Sequence, residues 1–258
     1  MNNAQTFSQK SDQYAKHRPQ YPDELFAWLG DRCTGHNTAW DCATGNGQAA
    51  VSLANYFSHV EATDISAEQI EHHIPHPKVT YTTCPAERTP FTDRSFDLVT
   101  VATAFHWLDQ GRFFQEVERV LKPKGVLAIW AYGFFTVEPE IDQLIMKELY
   151  EPIDPFWAEG NRQMFRGYSD VKFPFNEIPD IPTFTMKIDW NLEQLTAFLR
   201  TWSAVKRYAV QFGTDPVDRL ETPLKALWRE PEISKVVQMP IILIARQKSG
   251  KIQSAIHS

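Results

Sequence analysis

The stretch "WDCATGNGQ", Trp40 to Gln48, decides the fold. It is the tail of a short apolar run, "NTAWDCA", followed by a small-residue turn and then by the helix-forming "QAAVSLANYF". An apolar run that stops at glycines and restarts with helical periodicity reads as strand, tight turn and helix. The same unit recurs downstream. "HVEATDIS" is a second strand ending at Asp64, and Ser66 with Gln69 reads as a capping box. "KVTYTTC" is a third strand and "SFDLVTVATAF" a fourth. "FFQEVERVLKP" is a helix stopped by Pro123, and "GVLAIWAYG" is a fifth strand. Alternation of this kind between about residues 37 and 133 predicts an α/β fold: a doubly wound, mostly parallel sheet covered on both faces. Upstream, Pro22 opens an amphipathic helix through Leu25, Phe26 and Leu29.

Beyond Gly133 the pattern changes. Residues 134–182 are rich in proline and aromatics, with a helical stretch near 139–150. "TFTMKIDW" reads as a strand, "NLEQLTAFLRTWSAVKRYAVQF" as one long helix and "DPVDRLETPLKALWRE" as another. "SKVVQMPIILIARQ" is a last strand, in which Pro240 suggests an edge, a bulge or a register that spares its missing N–H. The chain therefore divides into a covering segment and helix (1–36), a core (37–133), a cap insertion (134–182), a unit completing the sheet (183–248) and a tail (249–258).

The 258 residues suffice for one large domain with a sizeable core. Composition is that of an ordinary globular protein, with 43% hydrophobic and 22% charged residues. A net charge of −6 argues against nucleic-acid binding by bulk electrostatics. No apolar run approaches a membrane span, and the first residues lack the apolar core of a secretory signal. The three cysteines, Cys33, Cys42 and Cys84, show no paired spacing, which suits a reducing cytoplasm. The expected partner is a small-molecule acceptor, with no nucleic acid or membrane, in a monomer or weak homodimer. His72, His73 and His76 invite a metal reading, but two adjacent histidines cannot share a helix face and nothing completes a ligand set, so no metal is expected. Asp93 and Asp97 read as turn and strand-start residues, and Lys122 and Lys124 as a solvated corner.

Gly45, Gly47 and Ala50 fit the G-x-G-x-x-[GA] pattern of a ribose-bearing cofactor loop. An acid ending the next strand, Asp64, can accept both hydroxyls of a ribose. Those features serve a nicotinamide dinucleotide or S-adenosyl-L-methionine equally. Asp41 separates them, because a carboxylate sits badly beside a diphosphate and well beside a sulfonium and an ammonium. As a plain cap for the loop's own amides, Asp41 is compatible with either.

The motifs "DCATGNGQ", "ATDIS", "CPAERTPFTDRSFDLVTVATAFHWLD" and "RVLKPKGVLAIW", in that order, resemble class I S-adenosylmethionine-dependent methyltransferases with a methyltransferase type 11 domain. "YAKHRPQYPDEL", "FHWLD" and "LRTWSAV" are similar to the branch that includes trans-aconitate methyltransferase. The resemblance spans Tyr14 to the last strand and implies a seven-stranded sheet with its last strand antiparallel, inserted beside the sixth, and a partly helical cap. It implies that Asp41 and the backbone at Ala43, Gly45 and Gly47 surround the methionine moiety. Asp64 clamps the ribose, Ile65 lies against the adenine, Ala86 and Glu87 meet the adenine edge, and Ala102 faces the methionine portion. Phe105, His106 and Trp107 lie near the transferred methyl. Ala43 departs from the usual glycine at that place, which bears on pocket shape at the carboxylate end.

Methyl transfer from a sulfonium is an in-line displacement that needs alignment and exclusion of water. His106 is the titratable candidate for catalysis, as base or as hydrogen-bonding group. A carboxylate acceptor would need no base and would call for arginine, whose fork matches it; Arg18 and Arg207 are the candidates. Tyr14, Trp107, Trp202 and Ser203 are candidate acceptor-side residues. The first expectation is O-methylation of a small carboxylic acid. The alternatives are a cofactor-binding module without turnover and an NAD-dependent oxidoreductase.

Overall fold

The computed structural model describes residues 20–250. Helix α1 (Asp23–Arg32) leads into β1 (Thr38–Cys42), α2 (Gln48–Leu53), β2 (His59–Asp64), α3 (Ala67–Glu71) and β3 (Val79–Thr83). β4 (Phe96–Ala102), α4 (Gln110–Val120) and β5 (Leu121–Tyr132) follow. The cap begins with α5 (Pro139–Ile145), which continues through a wide π-type turn (Met146–Tyr150) into a last helical turn at Glu151–Ile153, and then α6 (Glu159–Phe165). β6 (Asn176–Glu177), β7 (Phe184–Trp190), α7 (Leu192–Thr201), α8 (Ser203–Phe212), α9 (Asp218–Trp228) and β8 (Lys235–Gln247) complete the described chain.

The strands form one sheet in the order β3-β2-β1-β4-β5-β8, with β6 and β7 on the far side of β8. β1 to β5 are parallel and β8 is antiparallel to β5. The sheet thus has the expected mostly parallel arrangement, with a two-residue eighth strand, β6, in addition. Side chains alternate between two buried clusters. Ala39, Leu98, Ala128 and Trp130 face one, with α1 and α7; Trp40, Val99, Val101 and Ile129 face the other, with α4. Burial on both faces explains why these strands read as continuous apolar runs.

β8 belongs to two partnerships. Its second half pairs with β5 from Tyr132↔Ile241 to Val126↔Gln247, and its first half pairs with β7 from Trp190↔Lys235 to Phe184↔Ile241. β7 therefore starts where β5 ends, so the β7–β8 ladder extends past the carboxyl end of the parallel strands and carries α7 and α8 with it. Pro240 lies at the changeover. Gln238 exchanges hydrogen bonds with Thr136, and the Pro240 carbonyl accepts from Gly133. The missing N–H of Pro240 thus faces the gap where residues 133–135 leave the ladder, and costs no pairing.

Three details differ from the sequence reading. The helix expected to run to Pro123 ends at Val120, since Leu121 already pairs with Phe96. The single long helix expected after Trp190 is two, α7 and α8, separated at Trp202, whose backbone is extended (φ −65°, ψ 135°). Its start carries a full capping box, Asn191 with Gln194. At Ser66 only half of the expected box forms: its hydroxyl accepts from Gln69 N–H, but its own N–H is taken by Asp64.

Lys122 is also no solvated corner. Its Nζ lies 2.8 Å from Oδ2 of Asp97, a buried carboxylate that also accepts from the amides of Asn37 and Thr38. This junction ties the amino ends of β1, β4 and β5 together. Asp97→Ala leaves two amides and an ammonium without their acceptor, and is expected to cost about 3 kcal/mol in urea unfolding. Cofactor affinity of the folded protein should stay unchanged, because the loop after β1 lies at the other end of the sheet.

Candidate active site

The parallel register brings the carboxyl ends of β1, β2, β3 and β4 to one edge: Cys42 pairs with Thr63 and Val101, and Asp64 with Thr83. The residues that follow each strand therefore meet there. They are Ala43 to Gly47, Asp64 with Ile65, Ala86 with Glu87, and Ala102 with the short turn Phe105–Trp107. Ligands of doubly wound sheets bind in the crevice at this edge.

The loop after β1 is built around Asp41, which is fully buried. Thr100 Oγ1 donates to its Oδ1 at 2.8 Å, Thr44 Oγ1 donates to Oδ2, and the Ala50 amide adds a further bond. Burial raises the Asp41 pKa to about 6, against the lowering effect of those three donors, and nearby Asp64 adds to the rise. Neither threonine stood out in the sequence. Thr44 lies three residues after the acid, a common turn spacing, but Thr100 is on another strand.

Ala43, Gly45 and Gly47 all have positive φ, at 52°, 59° and 92°. Ala43 occupies a left-handed conformation that costs a residue with a Cβ about 1 kcal/mol. At Gly47 a Cβ would come within 2.3 Å of the Tyr81 hydroxyl, so this glycine answers to packing as well as to dihedral angle. The loop is then fixed to β2. Gly45 N–H donates to Asp64 Oδ2 and Ser66 N–H to Oδ1, each at 2.8 Å, while Thr44 N–H donates to the Thr63 carbonyl. Asp64 uses one lone pair of each oxygen in these bonds, so each oxygen has a second lone pair that they do not use. Ile65 beside it is 72% exposed. Ala86 is buried, and Glu87 Oε1 accepts from the Asp109 amide. An open groove of about 540 Å³ lies on the outer side of Glu87, lined by Arg88, Arg112 and Arg119 together with Asp109 and Glu116.

After β4, Thr103 has φ 57° and turns the chain out into Phe105–Trp107. Its hydroxyl pairs with Tyr21 at 3.0 Å. His106 Nδ1 lies 3.1 Å from the Tyr168 hydroxyl, and the two rings are 30° apart in plane. Burial alone lowers the His106 pKa to about 4. The imidazole is therefore neutral at physiological pH. Tyr168, 62 residues away, gave no sign of this partnership in the sequence. Trp107 packs on His106 with centroids 4.6 Å apart.

The remaining candidates separate. Trp202 joins an aromatic cluster with Tyr150, Trp157, Phe134 and Phe135. Ser203 starts α8. Arg207 is exposed and donates to the Phe156 carbonyl at 2.9 Å. Tyr14 and Arg18 lie outside the described residues. His72 and His73 donate through Nδ1 to the carbonyls of Glu68 and Ile70, at the end of α3.

The residues fit S-adenosylmethionine on structural grounds. Asn46 Oδ1 on the loop and Gln48 Oε1 at the first residue of α2 are buried acceptors without partners among the described residues, where a cationic ammonium would need acceptors. The buried carboxylate beneath them suits a cation and opposes a diphosphate. Fold and site together define a methyltransferase of the Rossmann-like type.

The comparisons agree. A family model described as a methyltransferase domain matches residues 40–129. A provisionally named methyltransferase of Dictyostelium discoideum is 30% identical over 94% of this chain and 94% of its own. An uncharacterised methyltransferase of Schizosaccharomyces pombe is 28% identical, over 90% of this chain and 92% of its own. The solved structure of a provisionally named type II methyltransferase from Anaeromyxobacter dehalogenans has 35% identity and a TM-score of 0.85, covering 91% of this chain and 99% of that one. The chain belongs to the class I S-adenosylmethionine-dependent methyltransferases, and S-adenosyl-L-methionine is its cofactor.

The Asp41 environment yields a pH prediction. Because the folded pKa of about 6 lies above the ordinary carboxylate value, the fold favours the protonated form. The resulting stabilisation is complete below pH ~4 and is lost as pH rises through about 6. A cation on the loop favours the ionised form, so cofactor binding should release a proton near pH 6 and weaken below it. Titration calorimetry in buffers of different ionisation enthalpy reads that proton. Asp41→Asn should abolish the proton release and reduce S-adenosylmethionine affinity by about tenfold, the order of one charge-assisted contact.

Proposed function

We propose that the enzyme methylates a small-molecule acceptor held between the carboxyl edge of the sheet and the aromatic cap, with Asp41, Ala43, Gly45, Gly47, Asp64, Ile65, Ala86, Glu87 and Ala102 forming the cofactor side. The observation that carries this reading is the Asp64 carboxylate. It fastens the first loop and the start of α3 at the end of β2, where ribose hydroxyls would lie, and each oxygen has a second lone pair with which to accept from them. Bound S-adenosylmethionine supplies an electrophilic methyl on its sulfonium. The chain's part is to bind, align and keep water out.

His106 fits positioning better than proton abstraction. A group with pKa near 4 is neutral at pH 7 but too weakly basic to deprotonate a hydroxyl efficiently. Its bond with Tyr168 fixes the ring, and Trp107 walls it. Carboxylic-acid O-methylation, the first expectation, drew on Arg18 and Arg207. Arg207 is exposed and gives Nη1 to the Phe156 carbonyl, which leaves its other donors for a carboxylate, and Arg18 is outside the described residues. No described helix is long and apolar enough to cross a membrane, which is compatible with a cytoplasmic enzyme.

Asp64→Ala is expected to weaken S-adenosylhomocysteine binding by about 1.5–3 kcal/mol in calorimetry. Unchanged affinity would remove Asp64 from the cofactor site. His106→Gln should raise KM for the acceptor and leave the pH profile of kcat unaltered between pH 6 and 9. A limb that titrates in wild type and disappears in the variant would establish a base.

A further inference from the structure

Tyr168 stands where a large side chain is costly. α6 stops at Gly167, whose left-handed backbone (φ 64°) lets its own N–H donate to the Met164 carbonyl and the Tyr168 N–H to the Gln163 carbonyl. That pair of bonds is the usual glycine ending of a helix. Tyr168 then repeats the left-handed turn, at φ 55°. Glycine takes up that conformation freely, whereas a residue with a Cβ crowds its own carbonyl there. Such strain persists only where the surroundings hold it, and it is concentrated at functional sites. Here the side chain is held firmly. Tyr168 is 1% exposed, its ring packs edge-on against the fully buried Phe105 at 5.2 Å, and its hydroxyl reaches His106 Nδ1 at 3.1 Å.

The rest of α6 is fastened to the same turn. A Cβ at Gly160 would meet the His106 carbonyl oxygen at 2.6 Å, so the start of the helix lies against Phe105–Trp107. Gln110 Nε2, just beyond that turn, donates to Gln163 Oε1 at 2.7 Å. The direction of the Tyr168–His106 bond follows from the protons available. Burial keeps the imidazole neutral at physiological pH. A neutral imidazole has one N–H and one bare nitrogen, and a phenol has one O–H. The Tyr168 hydroxyl has no other partner among the described residues. With the ring proton on Nδ1, the phenolic proton would be buried without an acceptor, which folded proteins avoid. With Tyr168 donating to a bare Nδ1, the hydroxyl is satisfied and the ring proton sits on Nε2. Nε2 has no partner among the described residues, so its N–H is the ring's free donor.

We propose that Tyr168 is a positioning residue for methyl transfer: it holds His106 as the Nε2–H tautomer, so that the histidine donates a hydrogen bond to the methyl acceptor and cannot take its proton. This rests on the placement of His106 beside the acceptor, and goes beyond it by naming the residue that sets the histidine's proton and the kind of acceptor that results. Nδ1 is occupied by the phenol and Nε2 is already protonated, so neither ring nitrogen is free to act as a base. The acceptor therefore brings a reacting atom whose lone pair is free on binding, as a carboxylate or an unprotonated amine does. It also presents an oxygen or nitrogen that accepts from Nε2–H.

The test is a two-bond proton–nitrogen correlation spectrum of the full chain, labelled with nitrogen-15 in its histidine rings and loaded with S-adenosylhomocysteine at neutral pH. The spectrum of His106→Gln identifies the His106 signals among those of the eight histidines. The expected pattern is a protonated Nε2 and a bare Nδ1. Tyr168→Phe keeps the ring and removes the O–H. It is expected to lower the ratio of Nε2–H to Nδ1–H by about tenfold, the order of one hydrogen bond, with S-adenosylhomocysteine affinity retained as the sign of a folded variant. A tyrosine that served packing alone would leave that ratio unmoved. A proton on Nδ1, or on both nitrogens, in wild type overturns the proposal without any variant having to fold, and so does an unchanged ratio in folded Tyr168→Phe. Failure of wild type to bind S-adenosylhomocysteine would instead strike the cofactor reading, and an unaltered acceptor KM in His106→Gln would strike the placement of that residue beside the acceptor.

Discussion

One buried carboxylate organises the catalytic edge. Asp41 lies at zero exposure and is held by hydroxyls from its own loop and from β4, and by an amide of α2. A carboxylate in such a place is costly unless its lone pairs are satisfied. Satisfying them fixes three elements relative to one another: β4, the turn at Thr44 and the start of the first crossover helix. The left-handed sequence Ala43, Gly45, Gly47 follows from that clamp, since the chain must bend sharply to return Thr44 to the acid. Once bent, it presents the Gly45 amide to Asp64, and the second acid locks the first loop to β2. The two carboxylates thus have different tasks. Asp41 is enclosed and holds the loop from within, whereas Asp64 is only half-buried and ties that loop to β2 from the edge.

The other end of the design is mechanical. β8 is long enough to serve two neighbours, and the half that pairs with β7 stands beyond the edge where β5 stops. Without that extension the cap helices would have no rigid base. Phe134, from one buried cluster, stacks on Phe165, from the other, so the cap also bridges the two cores.

How much of this could be read from the chain depended on sequence distance. The strand-turn-helix at Trp40–Gln48 and the acid ending β2 were legible because periodicity, small turn residues and strand ends are local properties. The clamp on Asp41 was only half legible: Thr44 is near, but Thr100 arrives through sheet pairing 59 residues on. The residue type at His106 was readable, whereas its neutral state was not, since burial depends on how the cap, with Tyr168, closes over it. Lys122 was misread because a lysine beside a proline turn gives no hint of a buried aspartate 25 residues back. The break at Trp202 escaped because no proline or glycine marks it; the aromatic cluster holds that residue extended against helical periodicity. Pro240 was read correctly in kind, and the structure supplied the reason.

The charge state of the catalytic edge limits what it can methylate. On the reading proposed above, the neutral His106 imidazole stands on the acceptor side, while the buried Asp41 carboxylate lies on the cofactor side. An anionic acceptor would lose its hydration on entry and would need a cationic side chain to replace the water, at a cost of several kcal/mol otherwise. A neutral acceptor loses less on entry. Bound S-adenosylmethionine would supply a methyl on a cationic sulfur, and its transfer would leave that sulfur neutral and move positive charge toward the acceptor atom. With Asp41 on the cofactor side and His106 on the acceptor side, as proposed, that shift would carry charge away from Asp41 and toward His106. Ring faces attract such charge, and a neutral, fixed imidazole does not repel it as an imidazolium would. The burial that makes His106 a poor base therefore suits it to stand beside the nucleophile.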